Sequence, residues 1–149
     1  MGKATTSIEI EASPEKVFDF VISEKMNDLT KEFYECKWTS TGPVGVGSTA
    51  HYVGVHKRNR REEWNAKATE FVKNKNLTMH LTGANKRSHD ETLIYMFEPT
   101  VKGTKMTLTM EYGMPYSVLG KLIDGLLVKN WVEKENNKVM ENLKKALEA

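Results

Sequence analysis

Five polar residues lie where the sequence pattern turns a side chain inward, and these are the candidates for chemistry. His51, Glu70 and Tyr95 lie in predicted strands, Tyr112 ends the last strand, and Asn136 interrupts an apolar helix stripe. A positioned histidine, carboxylate or tyrosine can transfer a proton to or from a substrate. Each has a structural alternative, since His51 could only satisfy hydrogen bonds, Glu70 could reach water near a strand end, and Asn136 could face outward. If the protein is an enzyme, the catalytic candidates are His51, Glu70 and Tyr95.

Nucleophilic and metal chemistry have little support in the pattern. Cys36 is the only cysteine, which excludes an internal disulfide and a cluster of thiolate ligands, and no activating base is evident for it. His56, His80 and His89 fall on turns or outward positions, and none has metal-ligand spacing to a carboxylate. We therefore expect no metal and no cofactor.

The composition predicts one globular domain over residues 1–149. The chain is 39% hydrophobic and 28% charged, with a net charge of +2, which is too small for a typical nucleic-acid-binding protein. No apolar run reaches the ~18 residues of a membrane-spanning helix, and no apolar leader precedes the first strand. We expect a cytoplasmic protein without nucleic-acid or integral-membrane partners. The basic cluster 56–61 is typical of a solvated hairpin tip, with a phosphate or partner contact as the alternative.

Alternation of apolar and polar residues predicts seven strands separated by segments rich in Gly, Pro and Asn. They span residues 7–11, 33–38, 48–56, 62–72, 76–82, 90–98 and 104–112. Ser13 as N-cap and Pro14 as first helical residue predict a short helix after the first strand, and 26–30 a further helical turn. Residues 117–147 predict one long helix whose first half is apolar almost all round, so more than one neighbour must cover it.

This order predicts an α+β fold in which a curved antiparallel sheet of about seven strands wraps around the C-terminal helix. Pairing the third and fourth strands around Arg58 and Asn59 places His51, Val53 and Val55 on the inner face. Small alanines there leave room, and methionines form adaptable walls, although the same residues could simply fill a solid core. The predicted ligand-binding residues are Val53, Trp64, Ala66, Ala68, Met79, Leu81, Leu93, Tyr95, Met106, Leu108, Met110, Tyr112, Val132 and Asn136.

Several short motifs follow one another in a characteristic order along nearly the whole chain. They are residues 12–18 (ASPEKVF), residues 42–47 (GPVGVG), Phe97-Glu98-Pro99 with Gly103-Thr104, and then Tyr112, Pro115, Gly120, Leu122, Leu143-Lys144 and Glu148. This order resembles the START-like superfamily (SRPBCC, the helix-grip fold), and within it the polyketide cyclase/dehydrase and lipid-transport family.

The resemblance implies a deep cavity between the sheet and the C-terminal helix, where family members hold lipids, polyketides, isoprenoids or plant hormones. Because the predicted inner face is mostly aliphatic and methionine-rich, we favour a binding or carrier protein for a small hydrophobic molecule. The alternative is a polyketide aromatase/cyclase or dehydratase that uses one or two acid–base residues. Aromatase/cyclases often carry an arginine where this chain has Glu70, which counts against the cyclase.

Overall fold

The computed structural model describes residues 2–55, 61–86, 88–113 and 121–149, without the side chains of 55 and 121–125. The strands are β1 (Gly2–Ile10), β2 (Tyr34–Trp38), β3 (Thr49–Val55), β4 (Arg61–Val72), β5 (Asn76–Gly83), β6 (Glu91–Pro99) and β7 (Thr104–Tyr112). The helices are α1 (Pro14–Ile22), α2 (Asn27–Thr30), which follows a 3₁₀ turn at Glu24–Met26, and α3 (Lys121–Glu148). The predicted start of the long helix at Ser117 and the predicted hairpin tip at 56–60 lie outside the described residues.

The described strands form one antiparallel sheet in the order β1-β7-β6-β5-β4-β3-β2. Successive strands from β2 to β7 pair as hairpin neighbours, and β1 closes the far edge by pairing with β7. With α3 packed on β1 and α2, this is the α+β helix-grip arrangement, so the predicted fold class is confirmed.

Helix α1 is fixed at its start by a cap and along its length by aromatic packing. The Ser13 Oγ accepts a hydrogen bond from the backbone N–H of Lys16 at 3.3 Å, as the N-cap pattern predicts. The buried Phe18 ring meets Phe71 and Phe97 edge to face, with ring centroids 5.2 Å apart in both pairs. This helix therefore closes one end of the sheet's inner face.

The second half of α3 packs directly on the sheet. Val139, Met140 and Leu143 share one buried core with Met106 and Leu108 of β7, so the predicted inward register of β7 is confirmed. Polar contacts fix the same half of the helix: the Lys144 ammonium donates to the Glu9 carbonyl at 3.0 Å, and the Asn142 amide to the Leu29 carbonyl at 3.3 Å.

The expected inward position of His51 and Val53 is wrong, because the pairing of β3 with β4 differs by one residue from the prediction. Val55 pairs with Arg61 and Tyr52 with Trp64, so the connection between the strands has an odd number of residues. Side chains alternate along a strand, and a shift of one residue exchanges its two faces. The inner face of β3 therefore carries Ala50, Tyr52 and Gly54. His51 lies on the outer face, with Nδ1 3.3 Å from Oδ1 of Asn65.

A bulge in β4 turns Glu70 away from the interior. Ala68 pairs with Met79 but Glu70 with Thr78, so the register changes between Ala68 and Glu70. Glu70 is exposed, and its carboxylate accepts a hydrogen bond from the Thr78 hydroxyl at 3.3 Å. Of the two roles considered for Glu70, the structure favours the one in which it reaches water near the strand end.

Within the described residues, no helix is both long and apolar enough to cross a membrane.

Candidate functional site

A cavity of about 380 Å³ lies between the inner face of the sheet and α3. The helix contributes a stripe at the i, i+3, i+4 spacing of one helical face: Val128, Trp131, Val132, Glu135, Asn136 and Val139. Phe33, just before β2, also contributes to the wall. The predicted cavity between sheet and helix is therefore present, opposite the middle of α3.

The sheet side of the cavity is aromatic and aliphatic. The Trp64 indole is held in place because its Nε1–H donates to the His89 carbonyl at 2.8 Å. Gly54 faces the same indole, and a Cβ at this position would lie only 3.1 Å from the ring. A glycine on the inner face of β3 therefore allows the Trp64 ring to pack closely against the strand. The other sheet residues on this wall include Tyr52, Leu81, Leu93, Met110 and Tyr112.

An acidic group interrupts this apolar wall. Glu91 occupies the first inward position of β6 and lines the cavity, as do Glu62 of β4 and Glu135 of α3. Burial, and then the negative charges of Glu62 and Glu135, raise the pKa of Glu91 from 4.5 to about 7. Desolvation and like charges both disfavour the ionised carboxylate. Glu91 therefore exchanges its proton near neutral pH, as a general acid or base would.

Asn136 places an amide in the same cavity. Only 6% of the residue is exposed, and its Nδ2 has no hydrogen-bond partner among the described residues. Of the two orientations considered for Asn136, the structure adopts the inward one. An unsatisfied buried donor is unfavourable, so this group is available to an acceptor inside the cavity.

A tyrosine–cysteine cluster separates the main cavity from a smaller one of about 30 Å³. Tyr34 and Tyr52 line both cavities, whereas Cys36 and Tyr95 line only the smaller one among the described contacts. The Tyr34 hydroxyl bonds to that of Tyr95, and the Tyr52 hydroxyl to the Cys36 thiol. Burial raises the pKa of Tyr95 to about 12 and that of Cys36 to about 11. Both groups stay protonated at neutral pH, so Tyr95 can donate a hydrogen bond but is a poor base.

The predicted ligand-binding residues divide into four groups in the structure. Trp64, Leu81, Leu93, Met110, Tyr112, Val132 and Asn136 line the main cavity. Met79 and Tyr95 line the smaller one. Ala66, Ala68, Met106 and Leu108 are buried in the surrounding core, and Val53 faces outward. Binding of a ligand by the first two groups remains a prediction.

The sequence analysis missed the three glutamates, although a signal for two of them was present. Glu62 has the same strand parity as Trp64, and Glu91 the same parity as Leu93. The predicted inner face was limited to apolar residues. Each glutamate lies two residues before the first apolar inward residue of its strand, so it was left out. Glu135 and Trp131 belong to the helix stripe and could be found from its spacing. Within the described ranges, no three His, Cys, Asp or Glu side chains are grouped to bind a metal ion.

Comparison with solved structures shows the same fold in proteins of very different sequence. Protein TTHA0849 from Thermus thermophilus superposes with a TM-score of 0.78 at 18% identity, covering 97% of this chain and 96% of the other. Protein CV1439 from Chromobacterium violaceum gives 0.68 at 13% identity, covering 100% and 99%. The major latex-like protein 151 of Panax ginseng gives 0.68 at 10% identity, covering 98% and 97%. At these identities the likeness establishes the fold alone.

A search of curated proteins found no match. The comparison with protein families is more specific than the comparison with solved structures. Residues 1–148 match the family described as polyketide cyclase/dehydrase and lipid transport. That match spans almost the whole chain, and the motifs that suggested the resemblance lie within it. The chain therefore belongs to the polyketide cyclase/dehydrase and lipid transport family.

Proposed function

We propose that the protein binds a small, mostly apolar molecule, such as a lipid, an isoprenoid or a polyketide-like compound, between the sheet and α3. The observation that carries this proposal is the cavity itself. Its volume of about 380 Å³ lies within the ~300–1,000 Å³ typical of small-molecule sites. Its walls are mainly aromatic and aliphatic, with a few polar groups placed among them.

The positions of the predicted catalytic residues favour binding without chemical change. His51 and Glu70 lie on the outer side of the sheet, where they cannot contact a molecule in the cavity. Tyr95 is kept protonated by burial, which raises its pKa to about 12. The three groups considered for acid–base catalysis therefore give no acid and base pair in the cavity.

Ligand binding is tested by filling the cavity from the helix side. The probe is Nile red, a neutral fluorophore whose emission rises in apolar surroundings, and native mass spectrometry identifies any molecule that co-purifies. Val128 is half-buried and lines the cavity, so V128W should abolish Nile red binding. The adjacent Leu127 is 62% exposed, so L127W is the matched control and should bind normally. Equal binding by both variants would place the probe elsewhere and contradict the proposal.

One observation favours a second function, that of a cyclase or dehydratase. Glu91 is half-buried in the cavity wall, and its pKa of about 7 suits a general acid or base at neutral pH. If the protein turns over a polyketide-like substrate, E91Q should lower the turnover roughly 10²–10⁴-fold while substrate binding survives. E70Q is the control, because it makes the same chemical change at an exposed carboxylate. Absence of turnover by the unchanged protein, or equal turnover by E91Q, would exclude this role for Glu91.

A further inference from the structure

We propose that Asn136 and Glu91 form a subsite for one uncharged oxygen of the ligand, so that the protein selects apolar alcohols or ketones over fatty acids, amines and hydrocarbons. This inference rests on the proposed function and specifies the class of ligand. The subsite spans the cavity from α3 to the first inward position of β6.

The helix side of the subsite supplies a hydrogen-bond donor. Asn136 lies between Val132 and Val139 in the stripe that lines the cavity, a position where a valine would cost nothing in desolvation. Instead, its Nδ2 is buried without a partner in the part of the chain that the structure describes. A buried donor without an acceptor destabilises the folded protein. A ligand oxygen in the cavity would remove that destabilisation, because hydroxyl and carbonyl oxygens both accept hydrogen bonds.

The sheet side supplies a carboxyl group that can donate as well as accept. Protonated Glu91 can donate to a carbonyl or hydroxyl oxygen, and ionised Glu91 can accept from a hydroxyl. The described ionisable groups that line the cavity with it are Tyr34 of β2, Tyr52 of β3, Glu62 of β4, His89 just before β6, Tyr112 of β7 and Glu135 of α3. An alcohol oxygen can therefore be bound in either protonation state of Glu91, whereas a ketone oxygen is bound by Glu91 only when the carboxyl is protonated.

The same surroundings disfavour charged ligands. A fatty-acid carboxylate would lie beside Glu91, whose own ionisation is already opposed by burial and by Glu62 and Glu135. An amine would meet negative charge, but its cation would have to give up water in the same desolvated site, which costs free energy unless the pairing is complete. A neutral oxygen avoids both costs and satisfies Asn136.

The test uses five ligands of one chain length: decane, decanol, methyl octyl ketone, decanoate and decylamine. Each competes with Nile red at neutral pH, and its dissociation constant is compared between variants. N136L should weaken decanol and the ketone about tenfold, the value of one net hydrogen bond, and leave decane within about twofold. N137L makes the same change at an exposed position of α3 and should alter neither. E91Q should strengthen the binding of decanoate relative to that of decanol, because it removes a like charge.

Several outcomes would overturn the subsite while the proposed function stands. The subsite is refuted if decanoate or decylamine binds most tightly of the five ligands. It is also refuted if N136L and N137L bind decanol with equal affinity. If N136L does not fold, the unchanged protein decides the question by nitrogen–proton correlation NMR. Decanol should shift the Asn136 side-chain amide signals, and decane should not; equal shifts would refute the subsite. If neither Nile red nor any of the five ligands binds, the proposed function fails as well.

Discussion

Replacing Glu91 with glutamine should stabilise the fold at high pH and have little effect at low pH. In the folded protein the pKa of Glu91 is about 7, raised from 4.5 chiefly by burial. Below about pH 4.5 the carboxyl is protonated in the folded and unfolded states alike, so it carries no electrostatic cost. As the pH rises from about 4.5 to 7, the unfolded chain loses its proton first, and the folded state becomes progressively less stable. The cost is fully present above pH 7.

The size of the effect follows from the pKa. A tenfold change in protonation equilibrium corresponds to about 1.4 kcal/mol, so a carboxylate raised from 4.5 to about 7 costs the folded state about 3 kcal/mol. E91Q has no charge to desolvate, and its free energy of unfolding should exceed that of the unchanged protein by about 2–3 kcal/mol at pH 8. At pH 4 the two proteins should differ by less than about 1 kcal/mol.

Urea unfolding at several pH values, followed by tryptophan fluorescence, measures this difference. Comparing the two proteins at each pH cancels the titration of the other groups, including Glu32 and Glu148, whose pKa values are lowered by lysine partners. E70Q is the control, because it makes the same chemical change at an exposed carboxylate. A difference between E91Q and the unchanged protein that is the same at pH 4 and pH 8 would refute the argument that Glu91 is desolvated in the cavity wall.

Two further predictions concern the backbone and the single thiol. G103A should lower the free energy of unfolding by about 1–3 kcal/mol in urea titrations, because a Cβ there would lie 2.7 Å from the backbone nitrogen of Ala12. G45A is the control, since nothing lies within 4 Å of its added Cβ; equal stability of the two variants would contradict the prediction. Cys36 should react with Ellman's reagent far more slowly at pH 8 in the folded protein than in urea, because at a pKa of about 11 about one thiol in a thousand is ionised. Rapid labelling of the folded protein would show that the thiol is not desolvated.

The strands whose two faces differ clearly in polarity could be predicted in full from the sequence. In β7, apolar and polar residues alternate without interruption, and both the bounds 104–112 and the inward face agree with the structure. The start of α1 could also be predicted from the sequence, because the N-cap and first-turn residues act through local hydrogen bonds that do not depend on the rest of the chain.

The register of β3 could not be predicted, because neither of its faces is clearly polar. Val53 and Val55 are at least as apolar as Ala50 and Gly54 on the other face, so alternation gives no decision. The remaining evidence was the assumed turn at Arg58 and Asn59, and the observed pairing of Val55 with Arg61 requires a connection of different length. The bulge near Glu70 could not be predicted either. One extra residue in a ladder exchanges the faces of the residues beyond it, and no residue pattern near Glu70 indicated where that residue would be.

The acidic residues of the candidate site, Glu62, Glu91 and Glu135, were not predicted from the sequence for a different reason. An inward glutamate at the end of a strand looks, in the sequence, like a solvated residue just outside the core. Only the placement of α3 over the inner face brings Glu135 near Glu91 and desolvates Glu91 enough to raise its pKa. This depends on tertiary packing, which no local pattern records.

The pairing of β1 with β7 sets the order in which the fold can be completed. The hydroxyls of Thr5 and Thr109 lie 3.2 Å apart although they are separated by 104 positions in the sequence. Strand β1 therefore leaves the ribosome before β7 and waits without this partner until the residues of β7 have been synthesised. Contacts so distant in sequence slow folding, and an unpaired edge strand promotes association between chains. Polar residues at alternate positions of β1, including Thr5, Ser7 and Glu9, would keep that strand soluble during the interval.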